Sequence, residues 1–265
     1  FGEYFDFYGG VDLRYYKGLH QNIIVDLFSG SYFVDSNRTS VKVANNSAAS
    51  NPGFAKEKLG VGDVIYRDYD GFVLSEGGFA QLEYNRDKLA AFVAGGLSNT
   101  SYWRYDRFYY DADHAESSKK HYLGGNIKGG ANYNLNEYHN VFANAGLVSR
   151  APMFDTSFIN SQNSHERNAD AKNEKILSFE IGYGFRSSVF SANVNAYYTK
   201  WMDKSLYDSG TSRDGERWTL NMAGADANHM GVEVDFEAKP TQWLSINGMF
   251  SWGDWRWDGL ATGFY

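Results

Sequence analysis

The stretch Tyr102-Trp-Arg-Tyr-Asp-Arg-Phe-Tyr-Tyr110 interleaves six aromatic residues with two arginines, Arg104 and Arg107. Aromatic rings offer flat apolar faces with polar edges, and guanidinium forks grip carboxylate or catecholate oxygens in pairs. Trp103, Arg104, Tyr105, Arg107, Tyr109 and Tyr110 are therefore the candidate contacts for a small-molecule, glycan or peptide ligand. A plainer reading is that Tyr102 to Tyr105 continue a band of aromatics at a strand end.

Other reactive patterns are weaker. The chain contains no Gly-x-Ser-x-Gly elbow, phosphate loop or His-Glu-x-x-His helix, so no catalytic residues, cofactor or enzyme activity are expected. Asp68-Tyr-Asp70-Gly71 hints at a calcium loop, but aligning Gly71 to the invariant glycine places Tyr66 and Gly77 where the end ligands belong. A solvated turn is the expectation there. Asp111, Asp113, His114, Glu116 and His121 match no compact zinc spacing and read as a charged loop, so no metal site is expected.

What must position these residues is a sheet. With 19 Phe, 20 Tyr, 7 Trp and 28 Gly but only 3 Pro, the 265-residue chain favours strands over helices. The absence of cysteine removes disulfide frameworks and thiol chemistry, and a net charge of −7 argues against nucleic acid as a partner. No run of about 18 apolar residues is present, so a membrane-spanning helix is not expected, whereas a barrel strand with one lipid face and one wet face remains compatible. The start at Phe1, with neither initiator Met nor signal peptide, suggests a processed or excised segment.

Period-two alternation is the main signal. Phe179, Ile181, Tyr183 and Phe185 alternate with Glu180, Gly182 and Gly184; after a short turn, Phe190, Ala192, Val194 and Ala196 alternate with Ser191, Asn193 and Asn195. Three further hairpins, turning near Arg86–Lys88, Asn134–Tyr138 and Pro240, plus a strand around Val11 to Tyr15, make about nine antiparallel strands. Short turns alternate with long polar connections, roughly Gly18–Gly77, Tyr102–Tyr122, Arg150–Lys175 and Asp203–Asn228. Such sorting predicts a transmembrane β-barrel segment with short periplasmic turns and long extracellular loops.

Two aromatic belts are expected: Tyr84, Tyr133, Phe185, Phe190 and Trp243 on the short-turn side, and Tyr16, Trp103, Tyr198, Trp201, Trp252 and Trp255 on the other. Phe179, Ile181, Val194, Val232 and Phe236 should face lipid. Glu83, Lys128, Asn132, Asn144, Glu180, Asn193, Asn195, Glu233, Asp235 and Asn247 should line the lumen.

Several ordered motifs then resemble the C-terminal barrel of TonB-dependent outer-membrane receptors. Ser149-Arg150-Ala151-Pro152 is similar to that family's strand ending in Arg-Ala-Pro, and Asn168-Ala-Asp-Ala-Lys-Asn-Glu174 to its Asn-Pro-x-Leu-Lys-Pro-Glu, with Ala169, Ala171 and Asn173 departing from the pattern. Phe179-Glu-Ile-Gly-Tyr183, Asn195-Ala-Tyr-Tyr198, Trp201-Met-Asp203, Asn221-Met-Ala-Gly224 and Gly231-Val-Glu-Val234 follow in order.

The resemblance implies active uptake of a scarce nutrient, such as an iron chelate, a cobalamin, a glycan or a peptide, across the bacterial outer membrane. It also implies an N-terminal plug through which the TonB complex acts. Residues 1–265 would then be part of a barrel lacking that plug and its TonB box. A soluble secreted glycan-binding β-domain and a passive porin are the alternatives.

Overall fold

The computed structural model describes residues 2–40, 53–214, 217–259 and 262–264. It is a single antiparallel sheet with β1 (Phe5–Ile23), β2 (Val64–Arg86), β3 (Leu89–Asp106), β4 (Lys120–Asn134), β5 (His139–Arg150), β6 (Glu174–Arg186), β7 (Phe190–Thr211), β8 (Arg217–Thr241), β9 (Leu244–Asp258) and β10 (Thr262–Phe264). Each strand from β1 to β8 pairs with the next, and β8 also pairs with β9 and β10. Asp258 lies opposite Asp226 and Thr262 opposite Ala223, so β10 prolongs the lane of β9 and the sheet has nine lanes. Among the described residues β1 and β9 do not pair, and the sheet is open.

Register follows the alternation. Phe179, Ile181, Val194, Val232 and Phe236 are all exposed and share one face. On the other face Glu180 accepts from Asn144 (3.2 Å) and Asn195 (3.2 Å), Asn195 also donates to Glu233 (3.4 Å), and Asn193 donates to Asp235 (3.2 Å). Every carboxylate in this ladder has an amide partner across a strand boundary, which is how a polar face satisfies itself on a pleated surface. Among the described residues the apolar face has no such partner: Val11 is 91% exposed and Ile181 64%. An apolar surface of that extent is stable only against lipid or another apolar body.

Chain reversals at one end are tight. Asp87, between the paired Arg86 and Leu89, takes a left-handed φ of 53°, which Asp tolerates through its short polar side chain. At the other end the strands run further than alternation suggests. The connection expected over Gly18–Gly77 shortens to residues 24–63, and that over Asp203–Asn228 becomes mostly ladder, since β7 continues to Thr211 and β8 starts at Arg217. In the β7 and β8 continuations the buried positions are small or polar, Ser205, Asn221, Ala223 and Ala225, so the apolar signal of that face fades while backbone pairing persists.

Asp68 and Asp70 belong to β2 and are not in a turn. The far aromatic belt also divides: Trp103 and Trp252 share the apolar face, whereas Tyr16, Trp201 and Trp255 are in register with the polar one. A strand separates neighbours onto opposite faces, so position near a strand end does not place a ring at the lipid boundary.

Candidate functional site

At the long-loop end the connections 107–119 and 151–173 pack on each other and across the polar face of the sheet. Phe154 sets its ring over Gly71, where a Cβ would stand 3.1 Å from the ring. Tyr102 donates its hydroxyl to the carbonyl of the fully buried Pro152 (2.9 Å), and Ser157 Oγ donates to the Tyr122 hydroxyl (2.9 Å). Asn221 of β8 donates to the carbonyls of Phe158 (2.7 Å) and Asp155 (3.2 Å). Loop 151–173 is thereby strapped from β2, β3 and β4 to β8.

The two motifs at the ends of β5 and β6 meet at the root of this strap. Arg150 stands opposite Glu174 in the ladder and donates to one of its oxygens through Nε (2.9 Å) and Nη2 (2.7 Å). The other oxygen accepts from the backbone and hydroxyl of Ser205 (2.9 and 2.6 Å). Glu174 is 1% exposed, so these four donors replace its water.

The six candidate ligand contacts separate onto different surfaces. Arg104 is fully buried on the polar face, ion-paired to the equally buried Asp106 at 2.6 Å, and set over the Tyr69 ring at 4.6 Å. Asp106 closes an Asx turn by accepting from the backbone of Phe108 and Tyr109, both at 2.8 Å. Trp103 lies on the opposite face, stacked on Phe72 with centroids 5.0 Å apart and covered by Lys119 at 4.5 Å. Tyr105, half-buried, shares that outward face with Asp70.

Arg107 is exposed and grips Asp70 with both terminal nitrogens (3.0 and 2.7 Å) while Nε reaches Asp68 (3.2 Å). Hydrogen bonding to Asp70 first, and then to Asp68, raises its pKa further above the ordinary arginine value. Lys17 adds a second cation to Asp70 at 3.0 Å.

Tyr109 and Tyr110 turn over the rim. Tyr109 is buried with Phe54, Phe108 and Tyr110 in a small apolar cluster, and its hydroxyl donates to the Tyr66 carbonyl at 2.6 Å. Tyr66 holds a left-handed φ of 64°, fixed further by its N–H donating to the buried Asp35 (2.6 Å). Tyr110 stacks on His165 with centroids 3.8 Å apart and accepts from the His165 N–H at 2.9 Å. Burial, aided by the nearby Arg104 charge, pushes the His165 pKa down to about 4, so the ring stays neutral.

Arg167, whose Nη2 donates to the Tyr102 carbonyl (3.0 Å) and the Ser118 carbonyl, has its pKa lowered to about 10 chiefly by burial. Of the other polar loop residues, His114 pairs with Asp111 (2.5 Å) and His121 is on β4, bonded to Ser101 (2.8 Å). Among the described residues no three metal-binding side chains converge.

A family model described as "TonB dependent receptor-like, beta-barrel" matches residues 1–264. No curated protein matches the chain. Among solved structures, the copper transporter OprC is similar at 14% identity and a TM-score of 0.68, covering 95% of this chain and 36% of that one. The ferric-catecholate import receptor Fiu from K12 E. coli, in its closed form, is 14% identical with a TM-score of 0.58, covering 96% and 35%. The FrpB iron transporter from Neisseria meningitidis (F5-1 variant, apoprotein) is 14% identical with a TM-score of 0.56, covering 97% and 35%. This chain spans about a third of the length of these structures, and at such identity the likeness is one of fold.

Proposed function

The chain belongs to the TonB-dependent receptor-like β-barrel family, whose members are transporters and not enzymes, and on that premise we propose that it is one wall of an outer-membrane receptor for energised uptake of a scarce nutrient. The observation that carries this reading is the asymmetry of the sheet. One face is apolar and exposed, and the other is an amide–carboxylate ladder roofed at its loop end by the strapped segment 151–173. A lipid-facing exterior and a wet interior capped on one side are what an uptake barrel needs.

In this proposal further strands complete the barrel and a plug fills it, docking on the polar ladder and on a concavity of about 610 Å3 bordered by Glu83, Phe92, Lys128, Asn132 and Asn144. The TonB complex would act through that plug, and the nutrient is a metal chelate, a cobalamin, a glycan or a peptide. Ligand capture is proposed at Trp103, Arg104, Tyr105, Arg107, Tyr109 and Tyr110, with Tyr105 and Arg107 offering surface and the four buried residues holding them in place.

Cells lacking the receptor that contains this chain should lose uptake of one labelled nutrient from a panel of ferric chelates, cobalamin, oligosaccharides and peptides. A protonophore should abolish the same uptake in wild-type cells. Uptake indifferent to the protonophore would instead establish a passive porin, and folded protein recovered without detergent would establish a soluble binding domain.

A further inference from the structure

We infer that Trp255 and Tyr197 form a stacking platform for a neutral sugar ring at the extracellular mouth of the polar face, an inference that rests on the receptor reading above. The platform is built by two glycines. A Cβ on Gly253 would stand 2.7 Å from the Trp255 ring, and one on Gly231 would stand 2.7 Å from the Tyr197 hydroxyl and 2.9 Å from its ring. Each ring therefore lies over bare backbone, a position that any side chain there would occupy. The Trp255 Nε1–H donates to the Tyr197 hydroxyl at 3.0 Å, which joins the two rings edge to edge.

Register fixes which side of the sheet they are on. Gly253 is opposite Gly231, which is opposite Tyr197, one step along the same face from Asn195, Glu233 and Ser251. The rings thus share the face of the amide–carboxylate ladder, so a place in the lipid belt does not explain them. Trp255 is nevertheless 64% exposed, near the loop end of β9. An exposed indole face with its N–H already satisfied has only apolar and π surface left to offer.

Charge selects the class of ligand. The polar face of β6 to β9 carries Glu180, Glu233, Asp235 and Glu237 against Arg186 and Lys239 at the short-turn end; Glu237 is paired with Lys239 (2.9 Å) while the other three carboxylates are held by amides. The nearby Arg150 is committed to Glu174. An anionic ferric chelate would meet a net negative wall, whereas a sugar would set its C–H face on the indole and its hydroxyls against carboxylate and amide acceptors.

The complete receptor, purified in detergent, should be applied to an array of neutral oligosaccharides, with calorimetry on the best binder and on a ferric tris-catecholate. Binding of at least one neutral oligosaccharide is expected, weakened ~10-fold or more by Trp255→Ala, the equivalent of about 1.4 kcal/mol, and largely retained by Trp255→Phe. Heat-modifiable migration on gels would show that both variants are folded barrels. Silence across the array, or an affinity unchanged in Trp255→Ala, overturns the inference. Tighter binding of the tris-catecholate also overturns it, yet leaves the uptake reading standing, because a nutrient is then still captured.

Discussion

The membrane wall and the loop cap are made from the same backbone ladder but stabilised by opposite means. Along the wall, around Phe179–Tyr183 and Val194–Ala196, apolar side chains stay exposed on one face and polar ones pair across strands on the other, so almost nothing is buried within the chain itself. In the cap, ionised and aromatic groups are fully enclosed: Arg104 with Asp106, Glu174 with Ser205, and Phe158 within the strap itself. On the proposed reading the wall depends on its solvent, lipid outside and water or plug inside, while the cap carries its own core. A substitution should accordingly be judged in the wall by what its face meets, and in the cap by which partner it orphans.

The largest effect is expected where an orphan charge would be created. Asp106→Ala in the complete receptor should destabilise the cap by about 3–5 kcal/mol, because a fully buried guanidinium loses the carboxylate it is paired with and two backbone N–H groups lose their acceptor. Hydrogen exchange over residues 107–119 and 151–173 would measure it. Asp235→Ala in the wall should change stability by less than about 0.5 kcal/mol, since Asp235 is exposed. Equal effects of the two would abolish the distinction between cap and wall.

Next in size is the facing of the wall. Val194→Arg should cost about 2–4 kcal/mol near the bilayer midplane, against a small cost for Asn193→Arg, as judged by refolding into lipid vesicles. If the two refold equally well, the register does not separate lipid from lumen. Glu174→Gln tests the strap's root more gently: the amide keeps the shape but weakens the bonds from Arg150 and Ser205, and a loss of about 1–3 kcal/mol is expected. Protease sensitivity of loop 151–173, with the strands still resistant, would localise that loss to the cap.

The smallest effect is a pH dependence. With its folded pKa lowered to about 4 from 6.5, His165 takes up a proton more readily in the unfolded cap than in the folded one. Stability therefore falls as pH drops from about 6.5 to about 4 and levels off below. Amide exchange of the 151–173 segment should accelerate across that window in wild type and do so less in His165→Phe, which keeps the stack on Tyr110. The same acceleration in both would assign the effect to another group.

Alternation alone was enough to determine the all-β class, the lanes of the wall, the tight turns at one end and the face each wall residue presents. A strand immersed between two different solvents must write both into its residues at period two. The ordered motifs around Arg150, Glu174 and Gly231 likewise carried the family. How far β7 and β8 run was not legible, because their continuation packs on the loop cap through small and polar residues, Ser205, Asn221, Ala223 and Ala225, and those buried positions carry no large apolar side chain.

Nor was the division of Trp103, Arg104, Tyr105 and Arg107 between opposite faces apparent from their crowding, although counting forward at period two from Leu97 would have shown it. Only the tertiary structure decided that Arg104 is enclosed with Asp106, that Tyr110 meets His165, and that Trp255 lies over Gly253 toward the polar side. The Tyr110–His165 stack joins segments distant in sequence through irregular loops, where no repeating period links a residue to its partner; the other two pairs are neighbours at period two on one strand, and what the sequence does not show there is the burial of Arg104 and Asp106 and the direction in which the Trp255 ring folds back.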